Sequence, residues 1–438
     1  MTRGTTSTFQ KIPRSIWALG FVSMFMDTSS EMIHSLLPVY LVTVLGTPNL
    51  TVGFIEGIAE ATAMITKIFS GALSDWLGRR KVLTTFGYGL AAFTKPIFPL
   101  ATDVGWLVVA RFVDRLGKGI RGAPRDALIA DLSPADLRGA SFGLRQSLDT
   151  VGAFVGPLAA IGLMVLTASN FTVVFWIAVV PALLSFGLMI FGVEEPARKE
   201  DAAPKPPLHW SDTKRLTGAF WAVVAVATVL TLARFSEAFL VLRSQNVGLP
   251  TALVPAVMVV MNVAYALAAY PAGVLSDRLG RNGFLAVGIV FLAVADVVLA
   301  FGATIPLTMF GVVLWGLHMG FTQGLLATLV ADTAPVELRG TAFGMFNLAT
   351  GTVLLIASIL AGWLWDAFGP TATFLAGAVF SGCAALLMGI YLRARQSYPN
   401  FILRPPMAAD KTRPLKLPPL LRRELNRSPR RGQRYLPL

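Results

Sequence analysis

Ionisable side chains recur at helical spacing inside long apolar stretches in the first half of this 438-residue chain. A charged side chain at the centre of a membrane costs about 2.5–3.5 kcal/mol on insertion scales, so a helix with several must turn them toward protein or water. Buried carboxylates beside a movable cation can exchange protons near neutral pH. The candidates for proton coupling or for the wall of a cavity are Asp27, Glu31, His34, Glu56, Glu60, Arg111, Asp114, Arg115, Lys118 and Arg121.

The spacing of these residues indicates which helix faces they share. At about 100° per residue, Asp27, Glu31 and His34 fall in one sector of a helix. Glu56 and Glu60 align in the same way on a second helix, and residues 111–125 form a polar stripe on a third. Because lipid cannot solvate such stripes, we expect them to face one another across a charged, wet pocket within or beside the first half.

The elements that position these residues are membrane-spanning helices. Hydrophobic residues make up 55% of the chain and charged residues 14%, whereas a soluble chain carries about 25% charged residues. Roughly 20 apolar residues span a bilayer. Stretches of this kind predict twelve spans, at 15–41, 52–74, 82–101, 106–131, 140–165, 171–193, 216–242, 251–275, 283–303, 307–331, 341–365 and 372–393.

An internal repeat divides the spans into two sets. Ser74–Asp75 and Ser276–Asp277 lie 202 positions apart, and residues 130–139 match residues 331–340 at an offset of 201. The repeat predicts an all-α membrane protein of two pseudo-symmetric six-helix bundles. We expect a cytoplasmic segment at 1–14, bundles at 15–193 and 216–394, a cytoplasmic linker at 194–215 and a basic, disordered tail at 395–438.

Most of the charges in spans two and four have no counterpart in the repeat. Arg115 corresponds to Gly316, and Glu60 corresponds to Asn262. Charges that serve the scaffold should recur in both halves. The asymmetry therefore favours a functional role, although a one-sided structural network of salt bridges would have the same pattern.

Basic residues mark one side of the membrane. They cluster in alternate connections, whereas the other short connections carry one charge, Asp103. The positive-inside rule then places both termini in the cytoplasm of a cell-membrane, multi-pass protein. Between Tyr391 and Leu438 the sequence has twelve Lys or Arg residues and two acidic residues, which gives this segment a net charge of +10. Such a tail either contacts anionic lipid or only reinforces the topology; no nucleic-acid partner is expected.

Two short motifs resemble those of the major facilitator superfamily. Its loop signature between spans two and three is met at Gly71, Leu73, Asp75, Gly78, Arg79, Arg80 and Leu83. In span five, the glycines of Gly152–Pro157 resemble the first part of the proton-driven exporter signature, although Ala159 and Ala160 replace its later glycine pair. The likeness covers residues 15–395 and is to the 12-span drug/proton antiporter branch.

The resemblance implies roles for several residues. It places span one against a central cavity, so Asp27 and Glu31 are the favoured proton carriers and Arg115 their counter-ion. It implies a seal against proton leak at Gly152, Gly156 and Pro157. A carboxylate beside glycines at a helix end can bridge basic groups and couple opening to rocking of the halves. The residues of this cytoplasmic gate would be Gly71, Asp75, Gly78, Arg79, Arg80, Asp277 and Arg281.

The sequence lacks the motifs of other energy sources and of enzymes. It has no phosphate-binding loop, no nucleophile elbow and too few His and Cys residues for a metal site. We therefore expect no cofactor and no enzymatic activity, and transport that either draws on an ion gradient or runs downhill. The leading hypothesis is proton-coupled efflux of a small organic molecule. The alternatives are an uptake or facilitative carrier for a small anion, nutrient or metal chelate, and a membrane sensor that does not transport.

Overall fold

The computed structural model describes residues 11–134, 137–195, 210–335 and 338–397, with backbone alone at Asp75 and at residues 210–212, 277–279 and 394–397. The basic tail, most of the linker and the first ten residues lie outside the described residues. The described regular elements are helical. In the first half they are α1 (Arg14–His34), α2 (Leu37–Thr43), α3 (Asn49–Leu77), α4 (Arg80–Thr94), α5 (Ile97–Leu100), α6 (Val104–Leu132), α7 (Arg138–Leu166) and α8 (Phe171–Gly192).

The second half repeats this order, except that the helix corresponding to α4 and α5 is continuous. Its α-helices are α9 (Gly218–Ala233), α10 (Ala238–Asn246), α11 (Ala256–Leu279), α12 (Arg281–Phe301), α13 (Ile305–Thr333), α14 (Arg339–Phe368) and α15 (Pro370–Ser397), with short 3-10 turns at Trp210–Arg215 and Thr251–Leu253. Within the described residues, eight helical segments are long and apolar enough to cross a membrane, and all of them follow Arg138. The earlier helices are shorter or carry the charges discussed above.

Three stretches predicted as continuous spans are broken in the structure. Stretch 15–41 breaks between His34 and Leu37, because Pro38 lacks a backbone donor and its ring clashes with the carbonyl four residues earlier. Stretch 82–101 breaks before α5, next to Pro96. Stretch 216–242 breaks at residues 234–237 without a proline.

Serine side chains satisfy backbone groups at this third break. The Ser236 hydroxyl accepts a hydrogen bond from the Ala238 N–H at 3.2 Å, and the Ser236 N–H donates to Ser358 Oγ at 3.2 Å. Non-helical backbone is tolerated at membrane depth only when protein or water satisfies it. The break between α9 and α10, residues 234–237, is therefore a built feature of the second half.

The halves pack along α3 and α14 and meet tightly where α3 begins. A Cβ on Gly57 would lie 3.0 Å from Leu355 Cα, so glycine permits this helix contact. At the Asn49 end of α3, the Asp366 carboxylate accepts hydrogen bonds from Asn49 N, Asn49 Nδ2 and Leu50 N at 2.8–3.0 Å. A carboxylate of one half thus caps a helix of the other. We call this contact the Asn49 latch.

Candidate functional site

Exposure of the ionisable residues rises along α3 away from the Asn49 latch. The Glu56 side chain is fully buried, the Glu60 side chain is 29% exposed, and Lys67 is exposed. On α6 the exposed fraction rises from 2% at Arg111 to 37% at Asp126. The bundle therefore encloses a cleft that is closed toward the latch and open toward the Leu77 end of α3.

The closed part holds a dry triad of charged side chains. Arg111 Nη2 lies 2.7 Å from Glu56 Oε2, and His34 Nε2 lies 3.2 Å from the same oxygen. All three side chains are less than 10% exposed. Opposite charges at this distance satisfy each other without water, although removing either partner would leave a costly buried charge.

A second dry pair lies one helix away. Lys95 Nζ donates to Asp114 Oδ1 at 2.9 Å and to Ser30 Oγ at 3.0 Å, and both charged groups are buried. The prediction of one wet pocket is therefore wrong for His34, Glu56, Arg111 and Asp114, which lie in buried charged contacts. Opposite charges can be counted in the sequence, whereas the close approach of these helices, which excludes water, depends on the fold.

The open part contains the remaining carboxylates of α1 and α3. Glu60 pairs with Arg115 at 3.1 Å, and Glu31 approaches His34 at 3.7 Å with 18% of its side chain exposed. Lys118 is exposed, yet it interacts electrostatically with carboxylates on α1, α3 and α7. A cation that is surrounded by three helices and still exposed must face an internal cleft.

Asp27 and Asp149 form a pair of carboxyl groups in this cleft. The two side chains are neighbours that interact electrostatically, and Asp149 also accepts a hydrogen bond from Arg145 at 2.9 Å. Asp27 is half-buried, and the Asp149 side chain is 19% exposed. Two carboxyl groups can hydrogen-bond to each other when one of them carries a proton, so this arrangement can hold a shared proton.

Glycines on α7 bring the two members of this pair together. A Cβ on Gly156 would lie 2.7 Å from Thr28 O and 2.8 Å from Glu31 Cβ, and Gly152 packs on the Met24 carbonyl. Pro157 is buried in the same helix. The predicted span-five motif thus packs α7 closely against α1.

The second half adds charge to the cleft through its broken helix. Arg234 and Glu237, both half-buried, lie in the break between α9 and α10. Glu237 interacts electrostatically with Arg234 and with three side chains of the first half, which are His34, Glu31 and Glu60. The cleft is therefore lined by ionisable groups from both halves.

Arg121, a predicted cavity residue, does not line the cleft. Its guanidinium stacks over the Tyr88 ring at 4.6 Å, and the residue is 4% exposed. Nearby, Gly87 allows a close approach of α4, since its Cβ would lie 2.8 Å from Arg121 Cβ. Arg121 therefore has a packing role in this conformation.

The predicted gate residues form matched contacts in each half. Arg80 Nη1 lies 2.6 Å from Asp131 Oδ2 and donates to the Ala127 carbonyl at 2.9 Å. Arg281 pairs with Asp332, the residues 201 positions further along. Each ion pair joins the first residue of one helix, α4 or α12, to the end of another helix of the same half, α6 or α13.

The glycines of the gate have distinct positions. Gly78 ends α3 with a left-handed φ of 62°, and a Cβ on Gly71 would lie 3.3 Å from Ala123 Cβ. Arg79 is exposed. The side chains of Asp75 and Asp277 lie outside the described residues, so their part in the gate stays a prediction.

Asp149, Arg145 and Lys95 belong to the buried network and cleft and are among the residues that were not selected from the sequence. Asp149 precedes Gly152 by three positions and Gly156 by seven, so it lies on the same helix face as these glycines. Helical periodicity could therefore have linked it to the span-five motif. Arg145 lies one turn before Asp149. Lys95, by contrast, precedes Pro96 in an apolar stretch, and nothing local indicates that it pairs with Asp114.

Broken helices, two matched halves and an ion-lined cleft between them define the class of secondary transporters. Within the described residues, no group of three or more His, Cys, Asp or Glu side chains could hold a metal ion. The arrangement can bind protons and charged solutes, and it can change by relative movement of the halves.

Comparison with known proteins identifies the family. The Major Facilitator Superfamily model matches residues 19–261 and 238–431. An uncharacterised MFS-type transporter of Methanocaldococcus jannaschii is 29% identical over 385 residues, covering 86% of this chain and 95% of that protein. The chain therefore belongs to the major facilitator superfamily.

Two further relatives extend the comparison. The cis,cis-muconate transport protein of Acinetobacter baylyi is 24% identical over 339 residues, covering 74% of this chain and 81% of that protein. The crystal structure of a bacterial homolog of the human lysosomal transporter Spinster, inward-facing and unoccupied, has the same fold, with a TM-score of 0.71 at 14% identity. That likeness covers 90% of this chain and 99% of the other.

Proposed function

We propose that this secondary transporter is a proton-coupled antiporter that exports a small organic molecule. The observation that carries the proposal is the neighbouring carboxyl pair of Asp27 and Asp149 in the cleft, beside the exposed Lys118. A shared proton is released when a cation approaches or when the carboxyl groups separate. Movement of α7 against α1 would do the second, because the two carboxyl groups lie on these two helices.

During the transport cycle, the cleft opens alternately at its Leu77 end and at the Asn49 latch. The Leu77 end, which carries the basic connections, is the cytoplasmic end by the positive-inside rule. A substrate enters there while the pair gives up its proton. The Asn49 latch then opens on the other side of the cell membrane, the substrate leaves, and the pair takes up a proton that drives the return.

Everted membrane vesicles provide the test. A growth screen of a deletion strain against toxic organic compounds first supplies a transported compound. Vesicles with an acidic interior should accumulate it, and Asp27→Asn or Asp149→Asn should abolish the accumulation. Asp103→Asn is the matched control, because Asp103 only caps α6 through Gly105 N and asparagine caps helices equally well. Accumulation that survives an uncoupler would exclude proton exchange.

The second candidate function is a proton-coupled carrier for a small organic anion. Two observations favour it, namely the exposed Lys67 and Lys118 along the open cleft and the similarity to a protein named for transport of cis,cis-muconate, a dicarboxylate. In this case Lys118→Gln should abolish uptake of radiolabelled dicarboxylates in whole cells. Uptake that is equal in cells with and without the protein would exclude this candidate.

A further inference from the structure

The internal repeat gives each buried charge of the first half a corresponding position in the second half. Arg80 and Asp131 correspond to Arg281 and Asp332 at an offset of 201, and both pairs form ion pairs. Between these points the packing agrees as well. A Cβ on Gly87 would meet Arg121 at 2.8 Å, and a Cβ on Gly288 would meet the corresponding Thr322 at 2.6 Å.

This register places Asp296 and Trp315 where the first half has Lys95 and Asp114. The first-half pair is a buried salt bridge of 2.9 Å. The second-half pair makes no such bond. Asp296 is fully buried, and neither of its oxygens nor Trp315 Nε1 has a hydrogen-bond partner among the residues that the structure describes.

An aromatic cluster that contains Phe235 borders the Asp296 carboxyl group. A Cβ on Gly377 would lie 2.6 Å from Asp296 Oδ2 and 3.2 Å from the Phe235 ring, so the carboxyl group and this ring lie side by side. The Phe235 ring also packs against Trp315 and Phe374, each with a centroid distance of 5.5 Å.

The titratable groups on the helices around Asp296 have contacts elsewhere. His318 on α13 bonds to the Gly288 carbonyl through Nδ1 at 2.9 Å, and Arg234 in the break interacts with Glu237. Arg243 on α10 donates to carbonyls at the end of α12. On α15, the described titratable side chains are the exposed Cys383 and, near the far end of the helix, Tyr391 and Arg393. No described cation forms an ion pair with Asp296.

An ionised carboxylate in such a place costs several kcal/mol, and proteins avoid that cost by pairing or neutralising the charge. The first half pairs its carboxylate with Lys95. The second half has no lysine beside its carboxylate, so the cation that neutralises Asp296 must come from solution. A proton is the smallest such cation and fits a closely packed site. We propose that Asp296 is a second proton-binding site, which carries a proton in this conformation and is covered by Phe235.

The break between α9 and α10 gives this site a route to the cleft. Phe235 belongs to the break, and Glu237 two residues later interacts with carboxylates of the first half. Phe239 reaches the other half directly, since its ring lies 3.4 Å from the Cβ position of Gly53. Rocking of the halves would therefore move Phe235 and admit water, and the carboxylate would gain or lose one proton. This coupling role rests on the proposed function, whereas the protonation itself does not.

Dicyclohexylcarbodiimide, an apolar reagent that reacts with protonated carboxyl groups, tests the proposal on the full-length protein in detergent. Peptide mass spectrometry should find the adduct on Asp296 and not on Asp114. Asp114 is the matched control within one molecule, because it is equally buried at the related level and is ion-paired. An adduct on both residues, or on Asp114 alone, would overturn the proposal.

Infrared spectroscopy of the same protein detects protonated carboxyl groups directly, so its result does not depend on whether a reagent can reach Asp296. Asp296→Asn should remove one protonated-carboxyl C=O band from the spectrum at neutral pH, and Phe235→Ala should speed carbodiimide labelling at least severalfold. An unchanged spectrum in Asp296→Asn would refute the site, and an unchanged labelling rate in Phe235→Ala would refute its cover. The vesicle assay on Asp27→Asn monitors a different residue, so either proposal can fail while the other stands.

Discussion

Lys95 and Asp114 form a buried ion pair in the first half, whereas Asp296 and Trp315, at the related positions of the second half, have no hydrogen-bond partner among the described residues. In the first half, opposite charges lie 2.7–2.9 Å apart and join α3 and the end of α4 to α6. In the second half, Asp296 has no such partner within the described part of the chain, and the Phe235 ring beside it packs on Trp315 and Phe374. The same helix geometry thus supports two ways of handling a buried charge.

The difference shows which features the fold requires. The ion pairs of Arg80 and Arg281 recur, so they belong to the shared scaffold. The triad of His34, Glu56 and Arg111 does not recur, and neither does the Asp27–Asp149 pair. Of these two, the dry triad fits a one-sided structural network, and the partly exposed pair fits a role in transport. The two explanations of the charge asymmetry thus fit different sets of residues.

The largest expected effect is on stability, from breaking the dry triad. Arg111→Leu should lower the free energy of unfolding by about 3–5 kcal/mol, because it leaves Glu56 buried without its cation. Denaturant unfolding of the purified protein in detergent measures it. The corresponding position in the second half is the apolar Val312, so the double variant Glu56→Leu/Arg111→Leu makes the first half resemble the second. That variant should recover most of the loss; a larger loss than in the single variant would contradict the structural role.

A smaller effect is expected from overpacking α7 on α1. Gly156→Ala should cost about 1–3 kcal/mol, because the added methyl group would lie 2.7 Å from the Thr28 carbonyl. It should also separate Asp27 from Asp149 and reduce proton-driven accumulation. Its counterpart in the second half is already an alanine, Ala357, and Ala357→Gly is the control that should leave proton coupling intact. Full coupling in Gly156→Ala would show that close packing is not needed for the pair.

The Asn49 latch offers a third test, because it too is one-sided. The positions related to Asp366 and Asn49 are Val165 and Thr251, which cannot form the same contact. Asp366→Ala removes three hydrogen bonds between the halves and should favour opening at this end by about 1–2 kcal/mol, or roughly five- to thirtyfold in population. Distances between spin labels on the two halves, with Cys383 first replaced, would report it. An unchanged distance distribution would mean that the latch does not control this end.

The smallest effect on stability is expected at the shared scaffold pairs. Both pairs are partly exposed, with side chains between 26% and 50% accessible, and such pairs contribute about 0–1 kcal/mol. Arg80→Ala and Arg281→Ala should therefore change thermal stability little and equally. Transport rates provide the comparison between the halves. A loss in Arg80→Ala alone would make the gate one-sided, whereas equal losses would make it a property of both halves.

Much of the fold and part of the site could be predicted from the sequence. The repeat and the apolar stretches predicted an all-helical membrane protein, and two short motifs indicated a resemblance to the major facilitator superfamily; both predictions are confirmed. Helical periodicity selected Asp27, Glu31 and Glu60, which the structure places in the cleft. Periodicity alone could not distinguish these cleft residues from the fully buried Glu56, because the exclusion of water from Glu56 depends on how closely α3 and α6 pack.

The residues that were missed share a physical reason. Asp149 became informative only when α7 was placed against α1, since its partner Asp27 lies more than one hundred positions away. The break at residues 234–237 has no proline and depends on Ser358, which lies on α14. Asp296 lies in an apolar stretch with no other charge nearby, and only its match to Lys95 across the repeat draws attention to it. Long-range contacts of this kind are not encoded in local spacing.

Coupling of transport to the shared proton of Asp27 and Asp149 is the central claim, and liposomes containing purified protein test it most directly. Asp27→Asn and Asp149→Asn should still exchange labelled for unlabelled substrate at equal concentrations and equal pH. Both variants should fail to concentrate substrate against its gradient when a pH difference is imposed, while the unsubstituted protein does so. Concentration of substrate by the Asp27→Asn/Asp149→Asn double variant to the level of the unsubstituted protein would contradict the account.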